Sequence, residues 1–424
     1  MNREPGLKIA IIGGGVAGIV AAYLLQQKHR ITLFEKNDYI GGHTHTIVLE
    51  KGPDSGTPVD TGFIVFNDRT YPLFNRLLNR LGVKPDTTVM SFSYACRSTG
   101  LTYASTNFNT LFADRRNFIR PSFWHLLAGI VRFNCKTKNY LYQGLLKNLT
   151  LGQYMKREKF SGNLVREYLI PMAAAIWSTS AARMMEYPAE SFARFFENHG
   201  LLSITDQPQW YYVKGGSHAY VKAFLETFRG RVLRQRTVAI VHRRERGITV
   251  MAADGTEEQF DGVVIATHAD EAYALLADPS EDETRLLSPW HYTKNDVVLH
   301  TDTTFLPANR RAWASWNYLS DGDAESETPL TVTYHMNRLQ RLTTQRELCV
   351  TLNPPKAIAP ERVIRALEYA HPLYTFDSLS TQKDLSILNG RQNTYFCGSY
   401  FGYGFHEDAV RSAVDVARLF GEAL

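Results

Sequence analysis

The sequence predicts an α/β fold: a Rossmann-like domain assembled from separated stretches of chain, joined to an α+β domain that carries a helical insertion. Three observations predict it. An apolar strand runs into a glycine-rich turn and a helix near the amino terminus, a β-rich stretch lies in mid-chain, and a second strand–turn–helix unit lies near the carboxyl terminus. The 424 residues suffice for two or three average domains, and 44% apolar with 21% charged residues is an ordinary globular mix.

Ile9-Ala-Ile-Ile12 is fully apolar, the pattern of a strand buried in a parallel sheet. Gly13-Gly-Gly15-Val16-Ala17-Gly18 follows, and Ile19 to Gln27, rich in Ala and Leu, reads as a helix. This is Gly-x-Gly-x-x-Gly between a strand and a helix. Gly13 permits the tight turn, Gly15 lets backbone reach a pyrophosphate, and Gly18 lets helix and strand pack closely. The free N–H groups where the helix opens, at Val16 and Ala17, attract phosphate. A second strand, Arg30 to Phe34, ends in Glu35, 22 residues after Gly13, where a carboxylate binds ribose hydroxyls; Lys36 follows in the same turn.

Farther on, Val238 to Val241, Ile248 to Val250, the turn Asp254-Gly255 and Phe260 to Ala266 read as strands and their connection, with Lys214-Gly-Gly-Ser217 ahead of them. Asn393 to Gly398 is a short strand and Gly402-Tyr-Gly-Phe-His-Glu-Asp408 a glycine-rich turn. From Asp408, a good N-cap, to Gly421 the apolar Val410, Ala413, Val414, Ala417 and Phe420 recur at helical spacing. The Rossmann-like domain is therefore expected at about 1–75, 208–285 and 388–424, and the second domain at about 76–207 and 286–387, with about 115–205 mainly helical.

Composition narrows the setting. The longest apolar runs fall well short of the ~20 residues of a spanning helix, so no integral membrane protein is expected. Met1 to Lys8 lacks the charged and apolar regions of a secretory signal, and Cys96, Cys135, Cys349 and Cys397 are widely spaced. A reducing cytoplasm is the expected location, with neither a disulfide framework nor a metal site. His43 and His45 form a His-x-His pair without an accompanying Cys, Asp or Glu cluster, so they are not read as metal ligands.

The net charge of +5 comes from one segment. Between Arg115 and Arg157 stand nine basic residues (Arg115, Arg116, Arg120, Arg132, Lys136, Lys138, Lys147, Lys156 and Arg157) and no acid; the remaining 38 Lys+Arg face 42 Asp+Glu. Within it Phe118, Ile119, Phe123, Leu126, Leu127, Ile130, Val131 and Phe133 form an apolar stripe with Trp124. Two readings of 115–138 stand: a basic amphipathic helix seated on an anionic membrane face, or a core-facing helix with its other face solvated. Nothing beside these signals calls for nucleic acid.

Gly41-Gly-His-Thr-His-Thr46, six residues after Glu35, and Val59-Asp-Thr-Gly62 resemble the flavin-dependent amine oxidase superfamily of monoamine oxidases, phytoene desaturases and protoporphyrinogen oxidases. The resemblance implies an amine-oxidase-like fold and non-covalent FAD. It places Gly41, Gly42, His43 and Thr44 around the pyrophosphate and Thr61, Gly62 and Phe63 beside the isoalloxazine. Val238 falls at the adenine, and Gly398 and Ser399 at the ribityl and phosphate region. The N–H groups of Asp408, Ala409 and Val410 fall at the pyrimidine edge, where a helix N-terminus stabilises the charge of a reduced flavin. His43 departs from the family, which has Arg there; a histidine of ordinary pKa about 6.5 exchanges a permanent charge for a titratable one.

A closer likeness, over nearly the whole chain, is to bacterial NAD/FAD-binding oxidoreductases associated with cyclopropane-fatty-acid-synthase-type methyltransferases. It is carried by residues 41–46, 59–67, Arg-Pro-Ser-Phe-Trp (120–124), Ala-Ile-Trp-Ser-Thr (175–179), 312–318 and 400–408. It implies a desaturase or dehydrogenase of unsaturated or methyl-branched fatty acyl chains, free or in phospholipid, acting by hydride transfer to flavin N5. A lipid or other apolar substrate, a methyltransferase partner and docking at the inner membrane face go with it. The family likeness also puts Phe405 and Tyr374 at the positions of the aromatic cage and Lys294, Asn295 or Asp296 near N5. The alternatives are an amine oxidase for a small amine or polyamine, and a flavin-dependent isomerase or non-redox partner of the methyltransferase.

Overall fold

The structure is a computed structural model that describes residues 6–177, 181–203, 207–244, 247–321 and 331–424; side chains at 174–177 and 181 are outside the description. The Ala-Ile-Trp-Ser-Thr motif at 175–179 therefore lies outside the described side chains.

Five parallel strands form the first sheet: β1 (Lys8–Ile12), β2 (Arg30–Phe34), β3 (Arg231–Leu233), β4 (Gly262–Ile265) and β5 (Thr394–Phe396), in the order β3-β2-β1-β4-β5. The centre of β1 is fully buried, as its unbroken apolar run requires. Helix α1 (Val16–Leu25) is buried at every residue except Tyr23, because it lies between the sheet and the last helix, α2 (His406–Leu419). A helix covered on all sides needs no polar face, which explains the Ala, Ile, Val and Leu of α1. An antiparallel sheet of Val238–Arg244, Gly247–Ala252 and Glu257–Phe260 stands between β3 and β4 in the chain. The described helix starts three residues before Ile19, the first residue that reads as helical in the sequence.

The second sheet has seven strands in the order Val363–Leu373, His291–His300, Cys349–Leu352, Val332–His335, Trp316–Ser320, Phe92–Cys96 and Thr102–Ala104. Trp316–Ser320 runs parallel to Phe92–Cys96; the other pairs are antiparallel. The helices Pro121–Tyr142, Leu151–Arg157 and Ala189–Asn198 share one apolar core with the Phe92–Cys96 end of this sheet.

The core-facing reading of 115–138 describes one face of the segment. Phe123, Leu126 and Phe133 are buried in that core, while Ile119 (84% exposed), Trp124 (48%) and Val131 (46%) face outward beside the arginines. Among the described residues no helix is long and apolar enough to cross a membrane.

Candidate active site

The amino-terminal turn builds a cradle. A Cβ on Gly18 would stand 1.9 Å from the Gly13 carbonyl oxygen, so only glycine lets α1 approach β1 this closely. A Cβ on Gly15 would meet nothing within 4 Å, and no side chain caps α1. Open space thus lies before an uncapped helix N-terminus at Val16 and Ala17, the setting that accepts a pyrophosphate. The Gly41 N–H donates to the Gly14 carbonyl at 2.8 Å and draws Gly41 and Gly42 alongside. Glu35 is buried at the end of β2 and accepts from Gly14 N–H (2.8 Å) and Asn37 N–H (2.9 Å). The backbone ahead of Val238 is tied to the same corner by Arg236 N–H donating to the Glu35 carbonyl at 2.9 Å. Lys36 is turned away: it is exposed and pairs with Glu271 at 2.6 Å.

At the other end of the cradle the chain crosses itself. A Cβ on Gly62 would fall 2.3 Å from the His43 carbonyl, which accepts from Phe63 N–H at 2.7 Å. The Phe63 ring stacks on His406 at 3.5 Å and 8°. His406 Nε2 meets Thr44 Oγ1 at 3.0 Å, and Thr44 Oγ1 meets the Tyr220 hydroxyl at 2.5 Å. Thr61 Oγ1 donates to the His45 carbonyl at 2.9 Å and meets the Tyr369 hydroxyl at 2.8 Å.

Beneath this crossing, Asp60 is fully buried and accepts from Ser217 N–H and Oγ and from Gln340 Nε2 (2.9 Å). Burial pushes its carboxyl up to about 7 against those donors. It joins the segment before Gly62 to the glycine turn at 214–217 and to the helix Met336–Leu339 with its C-cap Gln340.

Histidines from separate stretches converge here. His43 lies 5.6 Å from His371 and 6.0 Å from His268, ring centre to ring centre. Burial holds His43 well below its ordinary value, with neighbouring histidines adding to the shift; it lowers His371 to about 4 and His406 to about 3. The cluster is neutral at pH 7. His43 Nε2 is buried with no hydrogen-bond partner among the described residues. A neutral imidazole there offers a polar contact and no charge, unlike the family's arginine.

The second helix end differs from its sequence reading. The N-cap of α2 is Phe405, and Asp408 sits at the third helical position. Its carboxylate reaches back to Tyr403 N–H (2.8 Å) and Phe405 N–H (3.1 Å) and pairs with Arg411. The Asp408 and Ala409 N–H groups both donate to the Phe405 carbonyl, and Val410 lies deeper in the helix. The groups at the mouth of α2 are therefore the N–H of His406 and Glu407, not those of Asp408, Ala409 and Val410. Gly398 is fixed by Ser412, whose Oγ accepts from its N–H at 2.9 Å, and the Ser399 carbonyl accepts from Gly402 and Gly404.

Phe405 stacks on Phe195 (4.8 Å, 21°) and lies 5.2 Å from His199. Tyr374 is buried behind the same turn: its hydroxyl donates to the Gly402 carbonyl at 3.2 Å and its ring meets Trp290 edge-on. No ring contact joins Tyr374 to Phe405 among the described residues. Lys294 does not enter the site. It is exposed and pairs with Glu368 at 2.9 Å, while the next residue, Asn295, is buried and meets His371 Nδ1 at 3.2 Å. Strand alternation puts Asn295 on the inward face and Lys294 outside.

A family model of flavin-containing amine oxidoreductases matches residues 16–419. The chain belongs to that family. FAD is the cofactor this membership implies, and the open cradle at Gly15, the uncapped start of α1, buried Glu35 and the unpartnered His43 Nε2 fit it.

Among curated relatives, an L-amino-acid oxidase of Siganus canaliculatus is 25% identical over 320 residues, 69% of this chain and 56% of that one. A 1-hydroxycarotenoid 3,4-desaturase of a Flavobacterium is 51% identical over 43 residues, 10% of this chain and 9% of that one. The chain thus spans little more than half the length of the first relative and far less of the second. Among solved structures, a fatty acid isomerase from P. acnes that produces CLA shares the fold at TM-score 0.70 and 16% identity, over 98% of this chain and 99% of that one. Putrescine oxidase bound to putrescine does so at 0.72 and 14%, over 98% and 99%.

Two residues that hold this region together went unremarked in the sequence. Asp60 and His406 stand inside the motifs 59–62 and 402–408 that flag the site, and the motifs are the one local signal for them.

Proposed function

We propose that the protein is an FAD-dependent desaturase or dehydrogenase of unsaturated or methyl-branched fatty acyl chains, free or carried in phospholipid. The observation that carries the reading is the character of the wall beside α2. Phe195, Phe405 and a neutral His199 form an apolar surface, and His406, the residue after Phe405, is neutral as well. A cationic amine finds no buried counter-charge in these groups, whereas an alkyl chain needs only shape and dryness. Carotenoid desaturases among the relatives and a fatty acid isomerase among the structures act on apolar chains and support the reading.

Bound FAD supplies an acceptor for the hydride equivalent that leaves the substrate. The chain's own residues do the rest. The start of α1 and Glu35 hold the phosphate and ribose end. The His406 and Glu407 N–H groups present a fixed positive dipole where α2 begins. Phe405 and Phe195 exclude water and orient the chain. The reading takes attachment as non-covalent, and Cys397 supports it: it is fully buried just past the end of β5, and burial pushes its thiol up to about 12, far from the reactive thiolate.

The test is anaerobic flavin reduction followed by absorbance, with free fatty acids, phospholipids and a panel of amines offered in turn. Bleaching by an acyl substrate is expected; bleaching by amines alone, with hydrogen peroxide formed on admitting air, would replace this reading with an amine oxidase. Phe405→Ala should slow reduction about tenfold or more with FAD still bound, through lost positioning; an unchanged rate would remove Phe405 from the substrate wall.

A further inference from the structure

A cavity of about 470 Å³ lies where the strands Phe92–Cys96 and Trp316–Ser320 meet the start of the helix Pro121–Tyr142. Tyr94 and Tyr318 line it, stacked at 5.9 Å and 9°. Arg120, Arg166, Ser98, Thr99 and Ser122 line it as well, so two cations and three hydroxyls belong to its wall. Among the described residues neither arginine has a carboxylate at ion-pair distance; Arg166 donates to Asn163 Oδ1 at 2.7 Å, which leaves most of its donors unused. The acid in the lining is Glu167, whose carboxyl burial raises and the charges of Arg166 and Arg120 pull back down, so it shares the two cations with any bound anion.

Two further features involve residues that line this cavity or adjoin them in the chain. Arg166 and Glu167 belong to a π-helical turn, Val165–Leu169, a rare geometry that is frequent at functional sites. Ile119, adjoining Arg120, is 84% exposed, and Trp124, one turn from Arg120, is 48% exposed. Trp124 joins the partly exposed Phe108 and Phe118 around Phe112, so the apolar groups that follow one another near Arg120 in the chain form a contiguous exposed patch. A cavity, as distinct from a stripe of charge, holds one anion.

We propose that this cavity binds the anionic head group of an amphiphile, a carboxylate or a phosphate, with the attached chain against Ile119 and Trp124. The guanidiniums supply charge-assisted hydrogen bonds and the hydroxyls complete the shell. Only the choice of a lipid as ligand rests on the acyl-chain reading above; the site itself rests on its own residues.

The experiment measures binding to the FAD-loaded protein without turnover. Equilibrium dialysis with oleate and co-sedimentation with phosphatidylglycerol vesicles are compared for the parent, Arg120→Gln/Arg166→Gln, and Lys383→Gln as a charge control. The double variant should bind the anionic ligand about ten- to a hundredfold more weakly, the span of one or more charge-assisted bonds. Lys383→Gln and FAD absorbance should not change. Loss confined to oleate assigns the carboxylate, and loss confined to vesicles assigns the phosphate. Equal binding by parent and double variant overturns the site. Oleyl alcohol is the control for shape, and its loss to the same degree also overturns it. If binding behaves as expected while no lipid reduces the flavin, the acyl-chain reading fails and the site stands.

Discussion

Replacing His199 by glutamine should flatten the acid dependence of stability. His199 is 9% exposed, its Nδ1 lies 3.0 Å from the Phe195 carbonyl, and its ring stacks on Phe195 at 3.9 Å. Burial lowers its pKa to about 4, against about 6.5 in an unfolded chain. A base depressed in this way contributes stability that is fully present above 6.5 and is lost as pH falls toward 4. Below 6.5 the unfolded chain takes up a proton that the native ring refuses, at about 1.4 kcal/mol per pH unit. Between pH 7 and pH 5 this one histidine therefore costs the native state about 2 kcal/mol. Urea titrations of parent and His199→Gln at both pH values, with flavin absorbance confirming loading, isolate it, because every other titrating group cancels in the difference. The parent should lose about 2 kcal/mol more than the variant. An equal loss in the two proteins would show that the wall beside Phe405 accommodates a charged imidazole, and the argument for an apolar substrate would lose its footing.

Glu407 works in the opposite sense. Burial raises it to about 7, so its contribution is present below about 4.5 and lost as pH rises through 7; Glu407→Gln should reduce the fall in melting temperature between pH 5 and pH 8. Glu35→Ala frees the Gly14 and Asn37 N–H groups and removes the carboxylate proposed to meet the ribose, so FAD occupancy after dialysis should fall; full yellow colour would contradict that role. Glu283→Gln breaks a buried pair with Arg243, both side chains 3% exposed, and should cost about 3 kcal/mol in denaturant unfolding, short of the full penalty because Asp278 remains at 3.1 Å from Arg243.

The parts of the fold that local sterics dictate were legible in the sequence. Gly18 must be glycine because the Gly13 carbonyl occupies the place of a side chain, and that need is written in the spacing of the first turn. The start of α2 differs from the sequence expectation because aspartate is a strong N-cap former, yet Phe405 holds that place. Asp408 instead performs the reciprocal half of a cap from inside the helix, reaching back to Phe405 N–H. Lys294 and Asn295 alternate on one strand, and which of them faces inward is decided by pairing with Val363–Leu373, a partner some seventy residues away in sequence. The neutral histidine cluster draws His43, His268, His371 and His406 from four separate stretches, so no window of sequence contains it. The segment 115–138 kept two readings because a stripe of apolar residues does not tell which of its members the core will accept.

The order β3-β2-β1-β4-β5 has a consequence for biogenesis. β1 is made long before its later neighbours: β4 follows some two hundred and fifty residues on and β5 more than a hundred after that. Until β4 is made, the apolar run Ile9–Ile12 waits with one open edge, which is the condition under which nascent chains aggregate or recruit chaperones. The sheet is therefore closed in two stages, with β1 and β2 paired early and β4 and β5 added from chain made much later.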